Sequence, residues 1–127
     1  MAGNRVALVE DEAPVRTALA RLLRLADYEV LAYASGEEFL TSLTQSMPQC
    51  VILDVHLPGL SGIEVQRQLR SARVQVPVVF ITASDDPGLE REASEAGGLR
   101  MLRKPFSNDE LLATIASALQ WPAMAKH

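Results

Sequence analysis

Four separated stretches of this 127-residue chain hold side chains able to do chemistry. Glu10, Asp11 and Glu12 follow a short apolar run, Asp54 closes the run Val51-Ile52-Leu53, Thr82 ends Val78-Val79-Phe80-Ile81, and Lys104 stands before Pro105. Carboxylates gathered on one rim raise one another's pKa values, and a hard cation relieves that repulsion. Mg²⁺ takes oxygen ligands in an octahedron, commonly one or two carboxylates with water and a phosphoryl oxygen, so Asp11 and Asp54 suit it. Lys104 would supply a second, fixed positive charge.

Taken singly, each of these residues has a plainer reading. Glu10, Asp11 and Glu12 can be a solvated acidic cap at a helix start. Thr82 can be an ordinary β-branched strand residue, and Lys104 a surface lysine before a proline turn. Asp54 is harder to explain structurally, because an unpaired charge at the end of a buried strand is costly. It is the ordered combination that points to a site.

The elements that must position these residues follow from apolar periodicity. Arg5-Val9, Glu29-Tyr33, Val51-Asp54, Val76-Thr82 and Arg100-Arg103 read as strands. VILDV and VPVVFIT are too continuously apolar for a sheet wet on one face, so they belong inside a two-sided sandwich. Between the strands, Pro14-Leu25 carries Val15, Leu19, Leu22 and Leu23 near a 3.6 period, with Pro14 in its first turn. Ser35 with Glu38 has capping-box spacing for a helix starting at Gly36, whose apolar face is Phe39, Leu40 and Leu43.

Ser61 is expected to cap Gly62-Leu69, and Asp85 or Asp86 precedes Pro87 at a fourth helix that Gly97-Gly98 terminate. Ser107 and Glu110 mark the start of a last helix, Asn108-Leu119. Strand and helix alternate five times, which predicts a doubly wound α/β fold with a mostly parallel sheet between two helical layers. In such sheets ligands bind at the carboxyl ends of the strands, beside the point where strand order reverses. Glu10, Asp11, Asp54, Thr82 and Lys104 all fall at such ends.

Composition narrows the function classes. With 48% hydrophobic and 22% charged residues the chain reads as globular rather than disordered. One domain is expected over 1–127, with its core at 5–119 and a frayed tail at 120–127. A net charge of −4 gives no general attraction to nucleic acid or to an anionic membrane, so direct binding to either is not expected. No apolar run approaches the roughly 20 residues that span a bilayer, and acidic residues arrive by Glu10, before a signal-peptide core could be completed; a cytoplasmic protein is expected. Cys50, the lone cysteine, reads as a buried thiol.

LVEDE, VILDVHLPGLSGIEV, VPVVFITA and RKPF, in that order, resemble the receiver domains of two-component response regulators. The likeness runs from about Arg5 to Leu119. It implies a flavodoxin-like, five-stranded parallel sheet of order 2-1-3-4-5 with five helices. Asp54 would be the phosphoacceptor, Asp11 the main carboxylate ligand of Mg²⁺, Glu10 a ligand through metal-bound water, and the His56 carbonyl a further ligand. The Thr82 hydroxyl and the Ala83 amide would meet phosphoryl oxygens, Lys104 would pair with the phosphate, and Lys104-Pro105 would be cis. The implied partner is a histidine kinase or phosphotransfer protein. The chain would catalyse its own phosphorylation and dephosphorylation rather than act as a conventional enzyme.

Two features depart from or extend the pattern. Met101 stands three positions before Lys104, where receivers usually carry an aromatic residue, which puts the outward readout of phosphorylation in question. His56 and Ser84 flank the path of water to the phosphoryl group. Three other readings stand against a phosphorylated receiver. One is a receiver-fold interaction module that does not use phosphorylation. A phosphatase would want a second aspartate where His56 stands, and an FMN carrier would want a hydroxyl-rich loop in place of EDEAP. Either a stand-alone receiver or a piece of a longer regulator is expected, and the face of the fourth helix, fifth strand and fifth helix offers Arg91, Glu95, Arg100 and Arg103 for a homodimer.

Overall fold

A computed structural model describes residues 4–120. The expected tail at 120–127 lies outside the described residues except for Gln120. Five strands, β1 (Arg5–Val9), β2 (Glu29–Tyr33), β3 (Cys50–Asp54), β4 (Val78–Thr82) and β5 (Arg100–Arg103), alternate with α1 (Ala13–Leu25), α2 (Gly36–Ser42), α3 (Gly62–Ser71), α4 (Pro87–Ala96) and α5 (Asn108–Ala118). The sheet is wholly parallel, in the order β2-β1-β3-β4-β5.

Every residue of β3 and β4 is buried, as their unbroken apolar runs require of strands covered on both faces. Alternation of side chains divides the core in two. Ala7, Val9, Val51, Leu53, Val78 and Phe80 pack with Phe39, Ile63, Leu69 and Ala93 of α2, α3 and α4. Val6, Leu8, Ile52, Val79 and Ile81 meet Leu23 of α1 and Leu111 and Ile115 of α5 on the other face. Each such large aliphatic side chain contributes about 1.5–3 kcal/mol when fully buried.

Boundaries move where local chemistry overrides periodicity. β4 begins at Val78 instead of Val76, because Pro77 has no N–H for the ladder, although its carbonyl still accepts from Val51 N–H at 3.0 Å. α3 runs two residues past Leu69, until Arg73 turns left-handed (φ 60°) and the Val74 N–H closes on the Leu69 carbonyl. Ser61 and Glu64 form a full capping box. At α2, Ser35 accepts from Glu38 N–H, but the Glu38 carboxylate reaches the Ala34 N–H, one residue earlier than the box requires. Asp86, not Asp85, caps α4.

Candidate functional site

Strand order reverses between β1 and β3, and the register there sets Val9 beside Leu53. The next residues, Glu10 and Asp54, therefore emerge side by side at the carboxyl rim. Oxygen atoms of Glu10, Asp11 and Asp54 all lie within 4.8 Å of one another. Glu10 is fully buried and Asp54 nearly so, while Asp11 faces solvent. Three carboxylates so close, one of them open to water, form an all-oxygen donor set that fits a hard divalent cation.

The positive charge among them comes from the residue that follows β5. Lys104 Nζ donates to Glu10 Oε1 at 3.1 Å and to Asp54 Oδ2 at 3.3 Å. Each carboxylate has a second donor: Glu12 N–H reaches Glu10 Oε2 at 3.1 Å, and His56 N–H reaches Asp54 Oδ1 at 3.0 Å. Burial pushes the Glu10 carboxyl up from its ordinary range, and the charge of Asp54 adds to this, against the Glu12 and Lys104 hydrogen bonds. For Lys104, burial pulls down but is outweighed by the hydrogen bond to Glu10 and the charges of Asp54 and Glu10, so its pKa rises. The rise at Lys104 describes an ammonium held between carboxylates, whereas the rise at Glu10 reflects its burial, which the lysine only partly offsets.

Thr82 ends β4 with its side chain buried, and its hydroxyl accepts from Ser84 N–H at 3.0 Å. The backbone closes the rim: Lys104 N–H donates to the Thr82 carbonyl at 2.7 Å, and Lys104-Pro105 is cis, as expected. Ala83 and His56 are exposed beside the site. Met101 and Thr82 line one cavity, together with Ser84, Asp86, Pro87 and Glu90. Glu10, Asp11, Asp54, Thr82 and Lys104 thus stand on one rim.

Two supports were not anticipated. Gly62, at the start of α3, packs so closely on β3 that a Cβ there would lie 2.3 Å from the Asp54 carbonyl oxygen. Glu37 of α2 accepts from Leu60 N–H at 3.1 Å and so ties down the loop that follows Asp54. The glycine after Ser61 was a visible signal for close approach, whereas nothing local links Glu37 to a residue 23 positions away.

Residues 6–116 match the family model for the response regulator receiver domain. The chain belongs to that family. It is 36% identical over 115 residues to nodulation protein W of Bradyrhizobium diazoefficiens, covering 91% of this chain and 51% of that protein. The receiver therefore spans about half the length of the curated relatives it matches. Full-length FixJ from B. japonicum superposes with a TM-score of 0.90 at 32% identity, over 99% of this chain and 63% of that one. The beryllofluoride-activated DrrB receiver domain does so at 0.84 and 28%, over 93% and 98%. These likenesses agree with the five-stranded order found here. Among the described residues, no helix is long and apolar enough to cross a membrane.

Proposed function

We propose that Asp54 accepts a phosphoryl group from a phosphohistidine on a histidine kinase or phosphotransfer protein, with Mg²⁺ bound at the rim. Asp11, Asp54 and the His56 carbonyl would hold the ion, with Glu10 reached through water; when bound, it neutralises charge on the phosphoryl oxygens. The observation that carries the reading is the Asp54 carboxylate, at the end of a buried strand, within reach of Lys104 and of two further carboxylates.

An Asp54 oxygen forms the new bond to phosphorus as the phosphorus–nitrogen bond of the donor breaks. Catalysis by positioning and charge neutralisation suffices for such a transfer. Lys104 shifts from the carboxylates toward the incoming phosphoryl oxygens, and the Thr82 hydroxyl and Ala83 N–H bind the others. Water entering past His56 and Ser84 later hydrolyses the acyl phosphate. Added charge of about −1.5 to −2 then changes contacts on the face of α4, β5 and α5, where Arg91, Glu95, Arg100 and Arg103 are exposed and open to a second copy of the chain.

Mass spectrometry after treatment with acetyl phosphate and Mg²⁺ tests this. One phosphoryl group is expected on the parent chain and none on Asp54→Asn; equal labelling of the variant overturns the assignment.

A further inference from the structure

Helix α1 starts without a side-chain cap. Glu12 stands at the N-cap position, but its carboxylate makes no capping hydrogen bond, and Pro14 in the first turn has no N–H. Pro14 is also four residues beyond Glu10, so the Glu10 carbonyl lacks the donor that a helical continuation would give it. Arg16 supplies one instead. Its Nη1 donates to the Glu10 carbonyl at 2.8 Å and to the Asp11 carbonyl at 3.4 Å. Helical side chains lean toward the N-terminus of their helix, so Arg16 reaches back over the connection that precedes its own.

Those two carbonyls belong to the peptide groups on either side of the Asp11 Cα, and one guanidinium nitrogen therefore grips both. Glu10 has further holds: its N–H donates to the Tyr33 carbonyl at 3.1 Å, and its carboxylate accepts from Lys104 and from Glu12 N–H. Asp11 is different. It is exposed and makes no side-chain ion pair among the described residues, yet one of its oxygens lies within 4.8 Å of oxygens of Glu10 and Asp54. Its place at the rim is set through its backbone.

We infer that Arg16 is a positioning residue for the cation: it fixes the peptide groups around Asp11 and so aims that carboxylate at the ion. Charge alone would not choose a guanidinium here, since a positive group beside the rim repels a divalent cation. The aim it gives Asp11 outweighs that repulsion. The inference rests on the Mg²⁺ site proposed above, whereas the grip on the backbone exists without the ion.

Calorimetric titration with MgCl₂ and NMR amide exchange of the metal-free chain test it together. Arg16→Met keeps an unbranched apolar stem and removes both donor and charge. Arg16→Lys keeps the charge and a donor, and because a single nitrogen makes both contacts, an ammonium can imitate them. Arg16→Met is expected to weaken Mg²⁺ binding by about fivefold or more and Arg16→Lys to recover most of the loss, the reverse of the order that repulsion alone would give.

With no cation present, Arg16→Met is expected to speed exchange of Glu12 N–H, which donates to Glu10 Oε2, by about fivefold or more, while Ala26 N–H beyond the far end of α1 stays within about twofold of the parent. Mg²⁺ binding by Arg16→Met as tight as the parent's or tighter, Arg16→Lys no better than Arg16→Met, or unchanged exchange at Glu12 each overturns the inference. A parent chain that takes up no Mg²⁺ overturns the proposed site and with it the role toward the ion. The exchange rates report on Arg16 alone, so the two failures are distinguishable.

Discussion

The ammonium of Lys104 lies 3.1 Å from Oε1 of Glu10, a carboxylate with no solvent exposure. Removing one partner of a buried pair leaves the other charged and desolvated, which costs more than removing both. Lys104→Met should therefore destabilise the chain more than the double variant Lys104→Met, Glu10→Gln does. A coupling of about 1–3 kcal/mol is expected from a double-mutant cycle read by urea unfolding without divalent cation. Additive effects would show that the pair does not hold the rim together.

Asp11 has the opposite character. It is exposed and makes no side-chain ion pair among the described residues, so Asp11→Asn should leave the urea midpoint nearly unchanged. Its carboxylate is nonetheless one of the three oxygen donors that converge at the rim. The same variant should weaken Mg²⁺ binding by about tenfold or more, measured by calorimetry or by tryptophan-independent chemical-shift titration. A loss of stability with unchanged Mg²⁺ affinity would make Asp11 structural.

The sequence and the fold differ in what they reveal about this rim. Asp54 was legible because a carboxylate closing a run of apolar residues has few structural explanations. Thr82 and Lys104 became legible only through their order along the chain. That Glu10 and Asp54 are neighbours depends on β1 pairing with β3, a long-range choice that no local pattern encodes; the resemblance to receivers supplied it. Gln66 left a readable trace, a polar residue three positions from both Ile63 and Leu69 on the buried stripe of α3, but the Ala96 carbonyl to which it donates lies 30 residues away. The hydrogen bonds from Ser84 N–H to Thr82 Oγ1, Asp86 N–H to Ser84 Oγ and Gly88 N–H to Asp86 Oδ1 depend on backbone dihedral angles that a spacing of two residues does not determine.

Glycine packing beneath Asp54 gives a sharper contrast. At Gly62 a Cβ would meet backbone, 2.3 Å from the Asp54 carbonyl oxygen and 2.9 Å from Val55 Cα, and neither can yield without moving β3. Gly88 lies in the open first turn of α4, where the nearest atom to a Cβ is 3.4 Å away. Gly62→Ala should cost about 1–3 kcal/mol, because the β3 backbone at Asp54 and Val55 must shift to admit the methyl group. Gly88→Ala should be neutral or stabilising by up to about 1 kcal/mol, because alanine is the better helix former. Thermal unfolding of both variants decides the point; similar losses would mean that contact with β3 is not what requires glycine at position 62.

Cys50 sits fully buried at the start of β3, and burial pushes its thiol up to about 12. The unfolded chain would ionise the same thiol near an ordinary cysteine pKa of about 8.5. Above that value the unfolded state sheds a proton that the folded state keeps, so the thiol's contribution to stability is complete below about pH 8.5 and is lost as pH climbs toward 12. Cys50→Val keeps the apolar packing and removes the titration. Between about pH 8 and pH 10.5 the urea midpoint of the parent should therefore fall further than that of the variant. Native protein should also resist iodoacetamide until urea unfolds it, since the thiolate is the reactive form. Rapid alkylation of the folded chain, or parallel pH profiles for the two proteins, would show that water reaches Cys50 and that β3 is less well covered than its burial indicates.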